Sequence, residues 1–458
     1  MLGDCATPAC RGTFMNKSSS LNPHAAFALG AIACAFAIAP AHARTPILPL
    51  PAANPAQPFA WPEEKVVASN GTDHNAFGQS IALRGTTALI GAVDVNDWEG
   101  AIYVFTQQDG IWTEGQEFMA DDGVPNDRAT FGTAIMIDGD TAVIGALGAK
   151  IDGHANAGAA YVFKETDGTW SQVAKLVAPD PAENNYFGQA AAIAGDNIVV
   201  GAYGATVGEN VLQGAAYVYS NVGGTWTLVK KIVADDAVGG EFFGRSVAMS
   251  GTRALVGAPY ASIDGTAARG AVYTFDGSTP DWTQIGKTVA DSGDPGDAFG
   301  FSLAATQTHM VVGANGSNGA KGGAFVFGDD GGQWTQLARL VADDAAVGDD
   351  AGYAVAIDGT TVLVGADRAA IGANTQQGAA YVFSKSGDEW LQTQKLVSSD
   401  SQTDMFYGGF VALSDTTALV GVPFATVDGD LVRGAAYFYE RDDVVTDRIF
   451  ADGFDTIP

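Results

Sequence analysis

Apolar residues in this chain fall into short runs separated by Gly, Asp and Ser, a pattern clearest between residues 243 and 290. There Phe243-Gly244-Arg245-Ser246-Val247-Ala248-Met249 precedes the turn Ser250-Gly251-Thr252 and a second run from Arg253 to Gly257. A third run, Gly270-Ala271-Val272-Tyr273-Thr274-Phe275, and a fourth, from Trp282 to Ala290, complete the segment. Four short strands joined by tight turns make one antiparallel meander. A sheet of that size cannot bury a core alone, so it must stack on others like it.

The others are present. Phe77-Gly78, Phe131-Gly132, Phe187-Gly188, Phe243-Gly244 and Phe299-Gly300, then Ala351-Gly352 and Tyr407-Gly408, recur at intervals of 54, 56, 56, 56, 52 and 56 residues. Fourteen residues after each aromatic position a Gly-Ala or Gly-Val pair begins, at Gly91, Gly145, Gly201, Gly257, Gly313, Gly365 and Gly421. Seven such units predict an all-β fold, a seven-bladed β-propeller of four-stranded antiparallel blades over residues 61–440. The last unit stops after Gly434-Ala435-Ala436-Tyr437-Phe438-Tyr439 without a fourth strand, while an orphan one, Trp61 to Ala68, stands ahead of the first Phe-Gly. Insertion of the N-terminal strand into the last blade would close the ring and pair two open edges.

Trp61, Trp112, Trp170, Trp226, Trp282, Trp334 and Trp390 each open a fourth strand, and an aromatic repeated in every unit reads as packing between blades. The same holds for the Phe-Gly aromatics, whose glycine allows close backbone approach. Ala351 breaks that series and is expected to leave blade six less well filled.

Composition places the chain outside the cytoplasm. Met15-Asn16-Lys17 supplies a basic start and Ala25 to Ala39 an apolar run ending in Ala41-His42-Ala43, the form of a secretory signal with true start Met15 and cleavage after Ala43. Residues 1–43 are therefore read as leader, 44–60 as a Pro-rich spacer and 441–458 as a C-terminal tail. Cys5, Cys10 and Cys34 all precede the cut, so the mature chain has no disulfide to hold it. No later segment reaches the roughly 18 apolar residues of a membrane span. Removing Arg11, Lys17 and Asp4 with the leader leaves 21 basic against 51 acidic side chains, a net charge of −30. That surface repels phosphate backbones, which excludes nucleic acid as a partner, and it also serves plain solubility.

Phe-Gly followed by Gly-Ala-Pro, as in Gly257-Ala258-Pro259, or by Gly-Val-Pro, as in Gly421-Val422-Pro423, resembles the FG-GAP repeats of the integrin alpha-chain propeller and of bacterial secreted proteins. The resemblance implies the propeller fold and points loosely to ligand binding, since integrin propellers bind proteins while related repeats accompany a phospholipase. It also implies a test for calcium. Integrin blades insert a loop of the form D-x-[DN]-x-[DN]-G between strands one and two, where this chain has only turns such as Arg84-Gly85-Thr86, Asp138-Gly139-Asp140 and Asp358-Gly359-Thr360. Those are too short to enclose the cation, so no integrin calcium site carries over and no cofactor is required, although Ca2+ remains an open ligand.

Strand parity puts the loops joining strands two to three and strand four to the next strand one on the same face. The four-to-one loops are acidic: Asp121-Asp122, Asp180, Asp235-Asp236, Asp343-Asp344 and Asp400 form a candidate ligand-binding rim. Asp291, Asp294 and Asp297, in Asp291-Ser292-Gly293-Asp294-Pro295-Gly296-Asp297, are the candidate metal ligands. A ring of carboxylates collects divalent cations or a basic surface, but Asp also caps turns by bonding backbone N–H groups, and both readings stand. Ile151-Asp152-Gly153, Ile263-Asp264-Gly265 and Val427-Asp428-Gly429 form a second repeat, read as turns.

Catalysis needs convergent groups that depart from their repeat equivalents. His74, His154 and His309 lie in different units and registers, and no nucleophile with its base stands out, so the chain is not read as an enzyme. The expectation is a secreted or cell-surface monomeric propeller that contacts protein or glycan through its long-loop face. A periplasmic scaffold is the alternative, and an enzyme acting on an extracellular polymer comes third.

Overall fold

The computed structural model describes residues 61–123, 128–331, 333–400 and 402–441; the expected leader, spacer and nearly all of the C-terminal tail lie outside them. The chain divides into two units, Met1–Ala56, outside the described residues, and Gln57–Pro458, which contains the propeller. Within the described residues 28 strands pair into seven four-stranded antiparallel sheets. Strand one of each blade packs against strand one of both neighbours, so the first strands make the inner ring and the fourth strands the outer edge.

Burial follows that layering. Strand two of blade six, Thr361–Ala366, is buried at every position because sheets cover both of its faces. The outer strand Gln333–Leu340 of blade five alternates exposed and partly buried residues, since one face meets water. This explains why inner strands read as continuous apolar runs and outer ones as mixed. The pairing of strands three and four shifts register once in six blades, as at Val162/Phe163, Val218/Tyr219 and Val382/Phe383, a bulge that adds local twist.

The repeated glycines mark where adjacent blades touch through backbone. Gly244 donates its N–H to the Gly257 carbonyl of its own blade at 3.0 Å, while its own carbonyl lies against Gly201 of the preceding blade. A Cβ on Gly201 would overlap that oxygen, and the same holds for Gly145 against Gly188 and Gly365 against Gly408. The residue before Gly244 continues the seam. Phe243 forms a parallel bridge with Gly214 of the preceding blade and donates its N–H to Gln213 O at 2.9 Å. Its ring, fully buried, meets Tyr273 and Phe275 on strand three of its own blade at 5.6 and 5.9 Å. The Phe-Gly aromatics thus join blades through their backbone and fill their own blade with their rings. Ala351 keeps the backbone part, bridging to Gly322, without a ring.

Closure uses the same contacts. Glu63–Val66 pairs antiparallel with Ala435–Glu440, Glu63 opposite Tyr439 and Val66 opposite Ala436, and completes blade seven. Gly78 packs on Gly421 and Phe77 bridges to Gly434, so the join between last and first blades repeats the six others. Trp112 of blade one stacks on Phe438 of blade seven with centroids 4.0 Å apart, which places that tryptophan between blades.

The long loops are knitted together. Phe242 N–H bonds Leu212 O at 3.2 Å and Phe406 N–H bonds Gln376 O at 3.1 Å, tying the two-to-three loop of one blade to the segment entering the next. In five blades the two-to-three loop is itself a small hairpin, as at Ile151 and His154, whose turn residues Asp152 and Gly153 have φ of 50° and 89°.

Gly201→Ala tests the backbone contact apart from glycine's conformational freedom. Gly195, at φ 54° with open space around it, reports only the left-handed penalty of about 1–2 kcal/mol on substitution by Ala. Gly201→Ala is expected to cost at least about 3 kcal/mol by forcing two blades apart. Urea unfolding midpoints at constant slope read the difference.

Candidate functional site

The acidic rim forms clasps between blades. The Asp122 carboxylate receives Lys175 of the next blade at 2.5 Å, and the same pair recurs as Asp180 with Lys231 at 2.6 Å, Asp236 with Lys287 at 2.7 Å, Asp344 with Lys395 at 2.6 Å, and Asp400 with Lys65. Each lysine sits directly across the sheet from a strand-three tyrosine, and its ammonium lies over that ring: Lys175 over Tyr161 at 5.2 Å, Lys395 over Tyr381 at 5.3 Å. Tyr217 and Tyr437 donate their hydroxyls to Asp180 and Asp400 at 2.8 and 2.7 Å. Burial pushes the Asp122, Asp236, Asp344 and Asp400 carboxyls up, but the lysine and tyrosine hydrogen bonds outweigh it and hold all four below the ordinary value.

The preceding residues behave differently. Asp121, Asp235, Asp291 and Asp343 donate their backbone N–H to Gln172, Gln284, Gln336 and Gln392 of the next blade at 2.9–3.1 Å, leaving their side chains to solvent. Two seams depart from the clasp. Asn70 and Glu117 with Tyr103 reverse its polarity, and Ser292 with Arg339 and Phe325 leaves it without a carboxylate. Beside that last seam lies a cavity of about 350 Å³ lined by Thr274, Lys287, Asp291, Trp334 and Gln336 among others.

Asp297 is buried, and its Oδ2 accepts the Asp294 backbone N–H at 2.8 Å. Glu241 and Asp349, also two residues before their Phe-Gly positions, bond backbone N–H groups three residues back in the same way. Asp291 and Asp294 are exposed. Among the described residues no three His, Cys, Asp or Glu side chains are grouped to hold a metal ion, this set included.

A different constellation gathers at the inner end of the long-loop face. The side chain following each Phe-Gly pair stands there: Gln79, Thr133, Gln189, Arg245, Phe301, Tyr353 and, in blade seven, Gly409. The Arg245 guanidinium lies over the Phe301 ring at 4.5 Å, and Phe301 meets Tyr353 at 5.2 Å, so these positions touch from blade to blade. Outside them Tyr186 stacks on Tyr203 at 5.1 Å, Tyr203 meets Phe242 at 5.5 Å, and Phe242 meets Tyr260 at 5.1 Å. These rings are half-buried, and Tyr260 is 40% exposed.

The arc ends on Asp367, which is 5% exposed and whose Oδ1 has no hydrogen-bond partner. Burial and then the neighbouring Asp350 push its carboxyl up to about 7, against the opposing charge of Arg368. Arg368 itself pairs with Asp350 at 3.4 Å. Burial, then the Asp367 charge, raise the Tyr353 hydroxyl too. An added Cβ at Gly409 would stand 3.7 Å from that of Asp367, so blade seven places bare backbone beside the acid.

None of this arc was among the candidate residues. The available signal was departure from register: Val93, Leu147, Tyr203, Pro259, Asn315, Asp367 and Pro423 occupy one repeat position, and only one of them is acidic.

The sheets define a seven-bladed propeller whose closing strand comes from its own N-terminal side. The FG-GAP repeat model matches residues 61–105, 112–163, 170–219, 226–275, 282–327, 334–383 and 390–439, and the chain belongs to that family. Each match runs from the tryptophan of an outer strand through strand three of the following blade, so the sequence repeat is offset from the blade by one strand. No curated protein matches the chain. Among solved structures, a chain of one titled "Crystal Structure of Mitotic Checkpoint Complex" is similar over 87% of this chain and 99% of that chain, with TM-score 0.49 and 9% identity.

The two kinds of carboxylate differ in the sign of their pH response. Asp344 has a depressed folded value, so its contribution is present above about pH 4 and fades as pH falls through that folded value. Asp344→Asn is expected to lower stability at pH 7 by about 0.5 kcal/mol, its partners being partly solvated, and by less in high salt. The loss should shrink as pH falls below about 4 and through the folded value. Asp367 has a raised folded value, so the wild type loses stability as pH climbs from about 4 to about 7. Asp367→Asn should therefore melt on the order of 3 °C above wild type at pH 8 and level with it below pH 4, by calorimetry.

Proposed function

We propose that this chain is an exported binding propeller, secreted or held at the cell surface, that contacts an extracellular protein or glycan through the face carrying its long loops. One observation carries the reading: on that face, over blades three to six, a half-exposed aromatic arc ends in Asp367, a buried acid with an unpartnered oxygen that stands where the other six blades have no acid. Repetition serves packing, and a local break in it at a solvent-facing position serves a partner. The long loops themselves are bonded to one another, so they hold this surface rigid rather than closing over it.

Export is supported by the leader-like sequence before Ala43 and by a mature chain without cysteine. Among the described residues no helix is long and apolar enough to cross a membrane. A monomer fits this reading, since the ring completes its last blade with a strand of its own. A net charge of −30 in the mature chain disfavours nucleic acid. Binding rather than catalysis is the role, since His74, His154 and His309 lie in three separate units, and no metal ion or other cofactor is needed for it.

Purified residues 44–458 on an array of matrix proteins and oligosaccharides, with calcium and with chelator, test the reading. Saturable binding to at least one ligand is expected. No binding to any ligand, together with confinement of the native protein to the periplasm, would replace it with an envelope scaffold.

A further inference from the structure

We infer that the axial arc of blades three to six is a carbohydrate subsite that stacks the apolar face of a neutral sugar on its aromatic rings and hydrogen-bonds the hydroxyls through Asp367 and Arg245. This rests on the binding role proposed above and narrows its ligand to one class.

Four features select that class. First, the aromatic surface is partly open and continuous: Tyr186, Tyr203, Phe242 and Tyr260 follow one another at centroid spacings of 5.1–5.5 Å. Rings left partly in water, with Tyr260 the most open, match a partner that has both an apolar face and polar edges, as a pyranose does.

Second, the polar groups around the rings are unsatisfied in both senses. Asp367 Oδ1 is buried without a donor, and Gln79 Oε1, which in blade one holds the position of Arg245 and Tyr353, is likewise buried without one. The Arg245 guanidinium is held by stacking on Phe301 and makes no side-chain hydrogen bond or ion pair among the described residues. A ligand whose groups both donate and accept completes the set, and sugar hydroxyls do both. A buried acceptor left unpaired costs about 1–3 kcal/mol, so a ligand hydroxyl that meets it gains directional affinity.

Third, the formal charge of the arc is balanced, Arg245 and Arg368 against Asp350 and Asp367, inside a protein that is strongly acidic. That balance offers nothing to a polyanion and little to a polycation, which leaves a neutral ligand. Fourth, the ring does not need the arrangement for packing: blade seven repeats the Phe242–Tyr260 contact with Phe406 and Phe424, but blades one and two hold Ala76, Val93, Thr130 and Leu147 at the other positions and their sheets form equally well.

The test is a binding panel of short neutral hexose and pentose oligosaccharides, oligouronates and collagen, read by titration calorimetry with wild type, Tyr260→Ala and Arg245→Ala. Val222→Ser, on the opposite face at a position 68% exposed, is the control. Wild type should bind a neutral oligosaccharide, and each arc variant should weaken it by at least about tenfold at unchanged melting temperature, the control not at all. Binding to collagen or to oligouronates without neutral sugar would overturn the carbohydrate assignment and leave the broader binding role standing. Neutral-sugar binding that survives both arc variants would overturn the site. Silence across the whole panel would overturn the carbohydrate assignment, the broader binding role being decided by the array described above.

Discussion

The contact on which this molecule depends is glycine backbone against glycine backbone. Where Gly244 approaches Gly201, and Gly78 approaches Gly421, a carbonyl rests where a side chain would otherwise stand, and the first strands of neighbouring blades come into register at that spacing. Seven such approaches around an axis constrain the inner ring and the direction in which the next residue leaves it. Phe243 and its equivalents then have to turn their rings into their own sheet, because the space between blades at that height is already taken by main chain. With no cysteine beyond residue 34, this repeated fit and not a disulfide holds neighbouring blades together.

Charge is arranged around the same frame. A chain with 52 acidic and 23 basic side chains would be expected to strain its own seams by repulsion. Instead five of its lysines are committed to the loop of the preceding blade, each braced on a tyrosine ring opposite it. Each clasp is modest because water reaches it, but the set places positive charge where carboxylates crowd. The blade-four to blade-five seam, with Ser292 in place of the aspartate, is where the outer ring opens into a cavity.

The blades were legible from the chain because spacing and strand length state them directly. So was the closing strand, since an unpaired run at one end and a missing one at the other admit a single arrangement. The Asp-Gly turns were readable for the same local reason. The clasps were less so: Asp236 and Lys287 stand 51 residues apart, and only the stacking of consecutive blades makes them neighbours. Asp297 looks like a cation ligand in a run of Asp and Gly, and its burial against the backbone of Asp294 is a tertiary fact that composition does not carry. The axial arc draws on four repeat positions in four blades. Each taken singly resembles ordinary variation, and the pattern emerges only when the inner ends of the strands are brought together.

The one-strand offset between the sequence repeat and the blade has a consequence for how such a ring changes over generations. A duplicated or deleted repeat carries an outer strand for the blade before it and three inner strands for the blade after it. Gain or loss of a whole unit therefore leaves each sheet with its full complement and strands no edge. Ring size can drift by recombination while the device that shuts the circle is inherited intact.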